Sequence, residues 1–150
     1  MAVSVNEEKR IFKLDTINTS YIVSVMDEPG YAGHVYYGKR ISDEDVTYLL
    51  RIQESPFVPS KNKRDKISFM DSAPFEYPAY GSGDYRDAAL KVRTEDGMTT
   101  SELHYSGYRL DRFEGGQVPG VYGDNGQELT IELEDRYMGI KAELKYIIFE

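Results

Sequence analysis

The C-terminal third of the chain alternates apolar and polar residues with a period of two. Between Glu128 and Glu134 every second position is apolar, and these positions are Leu129, Ile131 and Leu133. After a predicted turn at 135–139 the alternation resumes in residues 140–149, where one side carries Ile140, Ala142, Leu144, Tyr146 and Ile148. Because successive side chains of a strand point to opposite faces of a sheet, the pattern predicts two antiparallel strands with one face in water.

A second hairpin is predicted nearer the N-terminus. Ser20 to Met26 alternates in the same way, and Tyr31 to Tyr37 is typical of a returning strand. The intervening Asp27-Glu28-Pro29-Gly30 has the chemistry of a turn, since Pro presets the backbone and Gly accepts a positive φ. Residues 20–37 therefore favour a β-hairpin.

The other periodic segments are also extended. Ala88 to Arg93 and Glu102 to Leu110 alternate, with a turn predicted between them at 95–97, and helical spacing is confined to about one turn around residues 43–50. Many short strands separated by Gly and Pro are typical of a sandwich. We therefore expect residues 1–150 to form a single all-β domain, an antiparallel β-sandwich of the supersandwich type with little or no helix.

The composition of the chain argues against several classes of partner and kinds of site. With 150 residues and 40% hydrophobic residues the chain can bury one substantial core. The formal net charge of -8 argues against nucleic acid or an anionic membrane as a partner, and the lack of cysteine excludes disulfides, thiolate metal sites and a Cys nucleophile. No segment reaches the roughly 20 apolar residues of a membrane span, and residues 1–10 contain no apolar run, so a cytoplasmic protein is expected.

No motif in the sequence predicts catalysis or a cofactor. A glycosidase needs two carboxylates facing one gap, but Asp84 and the pair Glu134-Asp135 are expected to be solvated acids of turns. His34 and His104 are 70 positions apart without the close spacing of metal ligands, so we expect structural or surface roles and no metal site. Tyr80-Gly81-Ser82-Gly83 lacks the preceding strand of a nucleophile elbow.

The tyrosines leave two interpretations open. Several lie near turns and a Pro-rich stretch, namely Tyr31, Tyr36, Tyr37, Tyr77, Tyr80 and Tyr85. They could stack on sugar rings, or they could fill a β core while each hydroxyl reaches a polar partner. Two further segments, 51–79 and 115–126, are rich in Pro or Gly and are predicted to be connections.

Three sequence strings resemble glycoside hydrolase family 36. They are Gly30-Tyr31-Ala32-Gly33-His34-Val35-Tyr36-Tyr37-Gly38-Lys39, Glu76-Tyr77-Pro78-Ala79-Tyr80-Gly81-Ser82-Gly83-Asp84-Tyr85-Arg86, and the final hairpin from Leu129 to Asp135 with its ending Tyr146-Ile147-Ile148-Phe149-Glu150. In order and spacing they are similar to the N-terminal domain of bacterial α-galactosidases. The resemblance implies a β-sandwich that precedes a (β/α)8 barrel, with both catalytic aspartates in the barrel and none in this chain.

The resemblance also implies a role. The domain would support its own catalytic barrel and the assembly of sister subunits in an enzyme that hydrolyses terminal α-D-galactosyl residues of oligosaccharides such as melibiose and raffinose. An independent carbohydrate-binding module and a protein-interaction sandwich without sugar affinity remain alternatives. Alone, the chain is expected to be inactive and to need no cofactor.

In oligomeric members of that family a loop of this domain reaches a neighbouring subunit's active site. The corresponding loop here runs from about Tyr48 to Lys66, and its candidate substrate contacts are Tyr48, Arg51, Arg64 and Lys66. Two Pro and several basic residues between 51 and 66 bury little apolar surface. We expect this segment to be mobile in the isolated chain and ordered in the whole enzyme.

Overall fold

The computed structural model of the chain describes residues 2–26, 30–43, 45–50, 70, 73–81, 83–113, 115, 120, 123 and 125–149. Their regular elements are seven strands and one 3-10 helix: β1 (Val3–Asn6), β2 (Ile11–Asp15), β3 (Thr19–Met26), β4 (Tyr31–Lys39), the 3-10 helix (Thr47–Leu49), β5 (His104–Arg112), β6 (Gln127–Asp135) and β7 (Ile140–Ile148). This confirms the prediction of an all-β fold with little helix. In the described part of the chain no helix is long and apolar enough to cross a membrane.

The strands form two antiparallel sheets. The first has four strands in the order β1-β2-β3-β4, and the second has three in the order β5-β6-β7. Both predicted hairpins are confirmed, since Met26 pairs with Tyr31 and Asp135 pairs with Ile140. Gly30 and Gly139 have φ values of 71° and 67°, which is why glycine suits these two turns.

One apolar core lies between the sheets and makes the fold a β-sandwich. Its most buried members include Phe12 and Val23 from the first sheet and Leu129 and Ile131 from the second, all at most 1% exposed. The last two are the core positions that the alternation of β6 predicts. Charged side chains lie on the other face of this sheet, where Arg109 pairs with Glu143 at 2.9 Å.

The outer face of the first sheet is covered as well. Residues 41–43 and 45–50 lie over it, and Val46 packs on Ile11 and Ile22 in a second apolar cluster. Beside that cluster Lys13 is 6% exposed, and its ammonium group contacts Asp15 at 2.8 Å and Asp43 at 2.6 Å. Because β2 is buried on both faces, it shows no alternation between buried and exposed residues.

Two β-bulges change which side chains share the core-facing side of a sheet. In β4, Tyr36 pairs with Ile22 and His34 with Val23, so the register skips Val35 and places Tyr37, opposite Tyr21, on the same face as His34. In β5 the shift at 105–107 lets Tyr105 and Tyr108 both face the core, where their rings lie 6.0 and 5.3 Å from that of Phe12. Each bulge thus places on the inner face a residue that strict alternation would direct outward.

The prediction that Ala88 to Arg93 forms an extended strand is wrong. This segment makes a single parallel bridge, between Leu90 and Ala79, and no strand. Its neighbour contains Pro78, whose carbonyl accepts hydrogen bonds from Ala89 and Leu90 but which has no N–H to extend a ladder. The following turn is confirmed, because the Gly97 N–H donates to the carbonyl of Thr94 at 3.0 Å.

Candidate functional site

Tyr48 is held at the surface by the segment that covers the first sheet. On one side of it Val46 is buried in the cluster with Ile11 and Ile22, and on the other Leu50 packs against the apolar cluster that contains Met26. Between these anchors the 3-10 helix turns outward, and Tyr48 is 75% exposed. The predicted contact residue is therefore available to a ligand or to a second protein.

An ion pair fixes the start of this turn. The Asp45 carboxylate accepts hydrogen bonds from the Lys9 ammonium at 2.7 Å and from the Thr47 backbone N–H at 3.0 Å. The hydrogen bond from Lys9 and those from Thr47 hold the pKa of Asp45 well below its usual range. The pKa of Lys9 is raised for the reciprocal reason. Asp45 thus stays ionised and connects the β1–β2 turn to the 3-10 helix.

A cleft of about 490 Å³ lies beside Tyr48. Three elements line it: the turn between β1 and β2, the end of β3, and residues 45–50, with the lining residues Glu8, Lys9, Arg10, Ser24, Val25, Met26, Asp45, Thr47, Tyr48 and Leu50. An aromatic face next to cationic and anionic groups suits a polar, hydroxyl-rich ligand or a charged protein surface.

The structure describes one residue of the predicted contact set. Tyr48 lies at this cleft, whereas Arg51, Arg64 and Lys66 lie outside the described residues. The structure adds Lys9 and Arg10, which sequence reasoning did not single out as site residues. The only sequence feature that marks these two residues is the run of charged residues at 7–10. Lys9 and its partner Asp45 are 36 positions apart in the chain. Such a long-range contact leaves no local pattern in a sequence.

A second polar group, the Glu76 cluster, joins the two sheets. Glu76 Oε1 accepts hydrogen bonds from the hydroxyls of Tyr21 on β3 at 2.5 Å and Tyr146 on β7 at 2.7 Å. His34 Nδ1 lies 3.3 Å from Glu76 Oε2. Burial and the carboxylate raise the pKa of both tyrosines above its ordinary value, so both hydroxyls remain donors. All of these contacts are internal, and they tie β3, β4 and β7 together.

The first two strings of the family resemblance meet at this cluster. His34 N–H donates to the carbonyl of Pro74 at 2.7 Å, and Glu76 N–H donates to that of Ala32 at 2.9 Å. The segment 74–76 therefore runs along β4 and places Glu76 against His34. The structural role expected for His34 agrees with this contact. Of the six turn-proximal tyrosines, Tyr31 is buried and Tyr77 packs on the core, whereas Tyr37 and Tyr85 are exposed.

Asp84 and Asp135 are acids of turns, as predicted, but they are buried and not solvated. Each is 2% exposed. The guanidinium group of Arg86 donates two hydrogen bonds to the Asp84 carboxylate. Arg86 Nε lies 2.8 Å from Asp84 Oδ1, and Arg86 Nη2 lies 2.7 Å from Asp84 Oδ2. The same Arg86 also donates to the carbonyls of Met70 and Ala73. Burial acts to raise the pKa of Asp84, but the Arg86 hydrogen bonds outweigh it and the pKa is lowered.

Asp135 performs a similar task at the β6–β7 turn. Its Oδ1 accepts the backbone N–H groups of Tyr137 and Met138, and its Oδ2 accepts that of Glu102 at 2.8 Å. Burial acts to raise its pKa, but these donors together lower it. Both oxygens of each aspartate accept hydrogen bonds from the domain itself. Over the residues that the structure covers, no group of His, Asp and Glu side chains could hold a metal ion.

Comparison with known sequences identifies the family. The sequence model described as the glycosyl hydrolase family 36 N-terminal domain matches residues 30–150. The chain belongs to this family. The resemblance found in its three strings is thereby confirmed.

Two curated relatives of this family 36 chain are α-galactosidases. It is 32% identical over 158 residues to the bifunctional alpha-galactosidase/sucrose kinase AgaSK of Mediterraneibacter gnavus, and 31% identical over 157 residues to alpha-galactosidase AgaA of Geobacillus stearothermophilus. Both alignments cover 100% of the chain but only 16% and 21% of the relatives. The chain thus spans about a fifth or less of their length.

Solved structures agree with the assignment to family 36. The galactosidase domain of AgaSK superposes with a TM-score of 0.86 at 31% identity, over 99% of this chain and 21% of that one. The α-galactosidase AgaB of Geobacillus stearothermophilus superposes with a TM-score of 0.82 at 31% identity, over 100% and 21%. The sandwich of this chain is therefore the same fold as one part of those larger enzymes.

Proposed function

We propose that this chain is the non-catalytic N-terminal part of an α-galactosidase that acts on terminal α-D-galactosyl residues of melibiose- and raffinose-type oligosaccharides. The family match over residues 30–150 carries the proposal. The α-galactosidase AgaA, whose solved complex contains raffinose, is a relative at 28% identity over 93% of this chain. We place the enzyme in the cytoplasm, in keeping with a sequence that contains no cysteine.

The state of the buried acids supports a non-catalytic role. A retaining glycosidase holds two carboxyl groups about 5–5.5 Å apart across the scissile bond. Here Glu76, Asp84 and Asp135 are each bound by donors of the domain itself. In the proposed enzyme, the nucleophile and the acid/base therefore come from the barrel, and this domain supplies support and surface.

The surface at Tyr48 supports a role beyond scaffolding. We assign Tyr48, Arg51, Arg64 and Lys66 to substrate contacts in a sister subunit's active site. Tyr48 is exposed, and the Lys9–Asp45 pair fixes the turn that carries it. Arginine and lysine can donate charge-assisted hydrogen bonds to sugar hydroxyls or to carboxylates around them. The domain would thereby contribute both to oligomer assembly and to substrate binding.

Paired substitutions in the full-length enzyme test this function. Arg64→Ala with Lys66→Ala should lower kcat/KM on raffinose about 10-fold or more, because a hydrogen bond to a charged group contributes roughly 1.5–3 kcal/mol. Lys61→Ala with Lys63→Ala removes the same charge from the same segment and serves as the control. Melting temperatures should remain unchanged, and the isolated chain should not hydrolyse a nitrophenyl α-galactoside.

Equal kinetics of the two double variants would mean that the loop is a solvated surface segment that does not contact the substrate. Turnover by the purified isolated chain would refute the non-catalytic role. Calorimetric titration of the isolated chain with galactose, melibiose and raffinose separates the proposal from an independent carbohydrate-binding module, which would release or absorb heat with each sugar.

A further inference from the structure

The connection that leads into β6 ends on an Asn-Gly pair, Asn125-Gly126. Asn125 is exposed and has a φ of 58°, which residues other than glycine rarely adopt. Gly126 is buried, and a Cβ at this position would lie 2.8 Å from the ring of Phe149 and 3.0 Å from Cβ of Phe113. The backbone therefore favours asparagine or glycine at 125, and the packing favours glycine at 126.

The side-chain amide of Asn125 and the backbone N–H of Gly126 are not held by hydrogen bonds. No residue that the structure describes binds the Asn125 amide or accepts a hydrogen bond from the Gly126 N–H. Only the Gly126 carbonyl is engaged, because it accepts from the Phe113 N–H at 2.9 Å. The amide carbon of Asn125 and the nitrogen that follows it in the chain are thus free to approach each other.

The other two asparagines in the described part of the chain are constrained. The Lys9 N–H donates to Asn6 Oδ1 at 3.0 Å, which fixes that side chain. After Asn18 the next nitrogen belongs to Thr19, and its N–H donates to the Thr16 hydroxyl at 2.9 Å. Thr19 also carries a branched side chain beside this nitrogen. Asn125 therefore differs from both in its hydrogen bonds and in its neighbour.

An asparagine that precedes glycine can react with the backbone, because no side chain hinders the glycine nitrogen. A base removes the proton of the Gly126 N–H, and the nitrogen attacks Cγ of Asn125. The new N–Cγ bond closes a succinimide ring, and the Cγ–Nδ2 bond breaks as ammonia leaves with a proton from the solvent. Water then opens the ring at either carbonyl and leaves an aspartate or an isoaspartate. No electrons are transferred to or from another molecule.

Ring closure requires rotation about the Cα–C bond of Asn125. The positive φ makes the present conformation a strained one for asparagine, so leaving it costs less than leaving a relaxed one. We infer that Asn125 is a site of spontaneous deamidation, in which the Gly126 nitrogen displaces ammonia from the side chain. The inference goes beyond the proposed function and does not depend on it, because the reaction involves only two adjacent residues and water.

The product would disturb the start of β6. In isoaspartate the main chain runs through the side-chain carbon, so the backbone between residues 125 and 126 gains one methylene. Gly126 would then move against Phe113 and Phe149, whose ring centroids lie 5.7 Å apart beside it. Both products also replace an amide by a carboxylate and add one negative charge to the net charge of -8.

Peptide mapping of the incubated chain tests the site. Trypsin cuts after lysine and arginine and places Asn6, Asn18 and Asn125 in three separate peptides. The 150-residue chain is incubated at mildly alkaline pH, folded and in urea, and the mass gain of each peptide is followed. Asn125 should react in the folded chain at the rate found in urea, to within about fivefold, because folding adds no hydrogen bond to break. Asn6 and Asn18 should react about tenfold more slowly when folded, because each is constrained by a hydrogen bond.

Asn125→Gly is the matched control variant. Glycine accepts the positive φ and has no side-chain amide, so the variant should fold, as circular dichroism verifies, and its peptide should gain no mass. Incubated wild-type chain that carries isoaspartate at 125 should have a lower urea midpoint than fresh chain. The midpoint of Asn125→Gly should not change with incubation.

Two results would overturn the inference. One is a folded chain in which Asn125 reacts more than about fivefold more slowly than in urea, which would mean that the fold protects it. The other is an equal mass gain of this peptide in the Asn125→Gly variant, which would place the reaction at another residue.

Discussion

Replacing Glu76 by alanine should loosen the sandwich, because this carboxylate connects the two sheets. Its side chain is 9% exposed and accepts hydrogen bonds from Tyr21 of the first sheet and Tyr146 of the second. Two hydroxyl-to-carboxylate bonds at roughly 1.5 kcal/mol each sum to about 3 kcal/mol of lost unfolding free energy. For a chain of this size that loss corresponds to a melting temperature lower by about 6–12 °C.

Urea denaturation followed by circular dichroism measures this loss. Glu95→Ala removes an exposed glutamate from a turn and should change the unfolding free energy by less than about 0.5 kcal/mol. A double-mutant cycle with Tyr146→Phe isolates one of the two bonds, and a coupling of about 1 kcal/mol is expected. If Glu76→Ala proves as mild as Glu95→Ala, or if the cycle shows no coupling, the carboxylate does not hold the sheets together.

Two further predictions concern the buried aspartates. Arg86→Lys should cost about 2 kcal/mol, because one ammonium group cannot replace the fork that binds Asp84 and the carbonyls of Met70 and Ala73; a melting temperature equal to that of the wild type would contradict this. The folded pKa of Asp135 lies below its unfolded value, so its contribution is complete above the unfolded pKa, near 4, and is lost as the pH falls through the folded pKa. Asp135→Asn should therefore be less stable than wild type at pH 7, and urea midpoints should converge as the pH is lowered towards 2; parallel profiles would refute the assignment.

The alternation of apolar and polar residues predicted a strand correctly wherever one face of that strand is exposed to solvent. In β7 the lysines and Glu143 are exposed and the residues between them are half-buried, and in β6 Glu132 and Glu134 are more exposed than Leu129, Ile131 and Leu133, so alternation in the sequence becomes alternation in burial. The same rule did not predict β2. There Lys13 and Asp15 are buried, with Lys13 in contact with Asp43 and Asp15 in contact with Arg40. A polar residue at a buried position is indistinguishable in sequence from one on a solvated face.

Alternation of apolar and polar residues predicted a strand wrongly where no partner strand is present to pair with it. Ala88 to Arg93 has the side-chain pattern of a strand, but its neighbour contains Pro78 and supports one bridge only. Bulges are equally hidden, since the register shift that puts Tyr37 on the same face as His34 follows from the pairing of β4 with β3. Of the candidate site, the sequence indicated Tyr48 through the family resemblance, but its neighbours Lys9 and Asp45 meet only in the folded chain.

The sequence by itself determined the class of fold, the two hairpins, the core face of β6 and the family, because each of these depends on local order along the chain. Tertiary structure alone decided which acids are buried and which side chains meet at Glu76 and beside Tyr48. A carboxylate in a turn has the same local sequence whether water or Arg86 binds it, and only the packing of distant segments supplies the arginine.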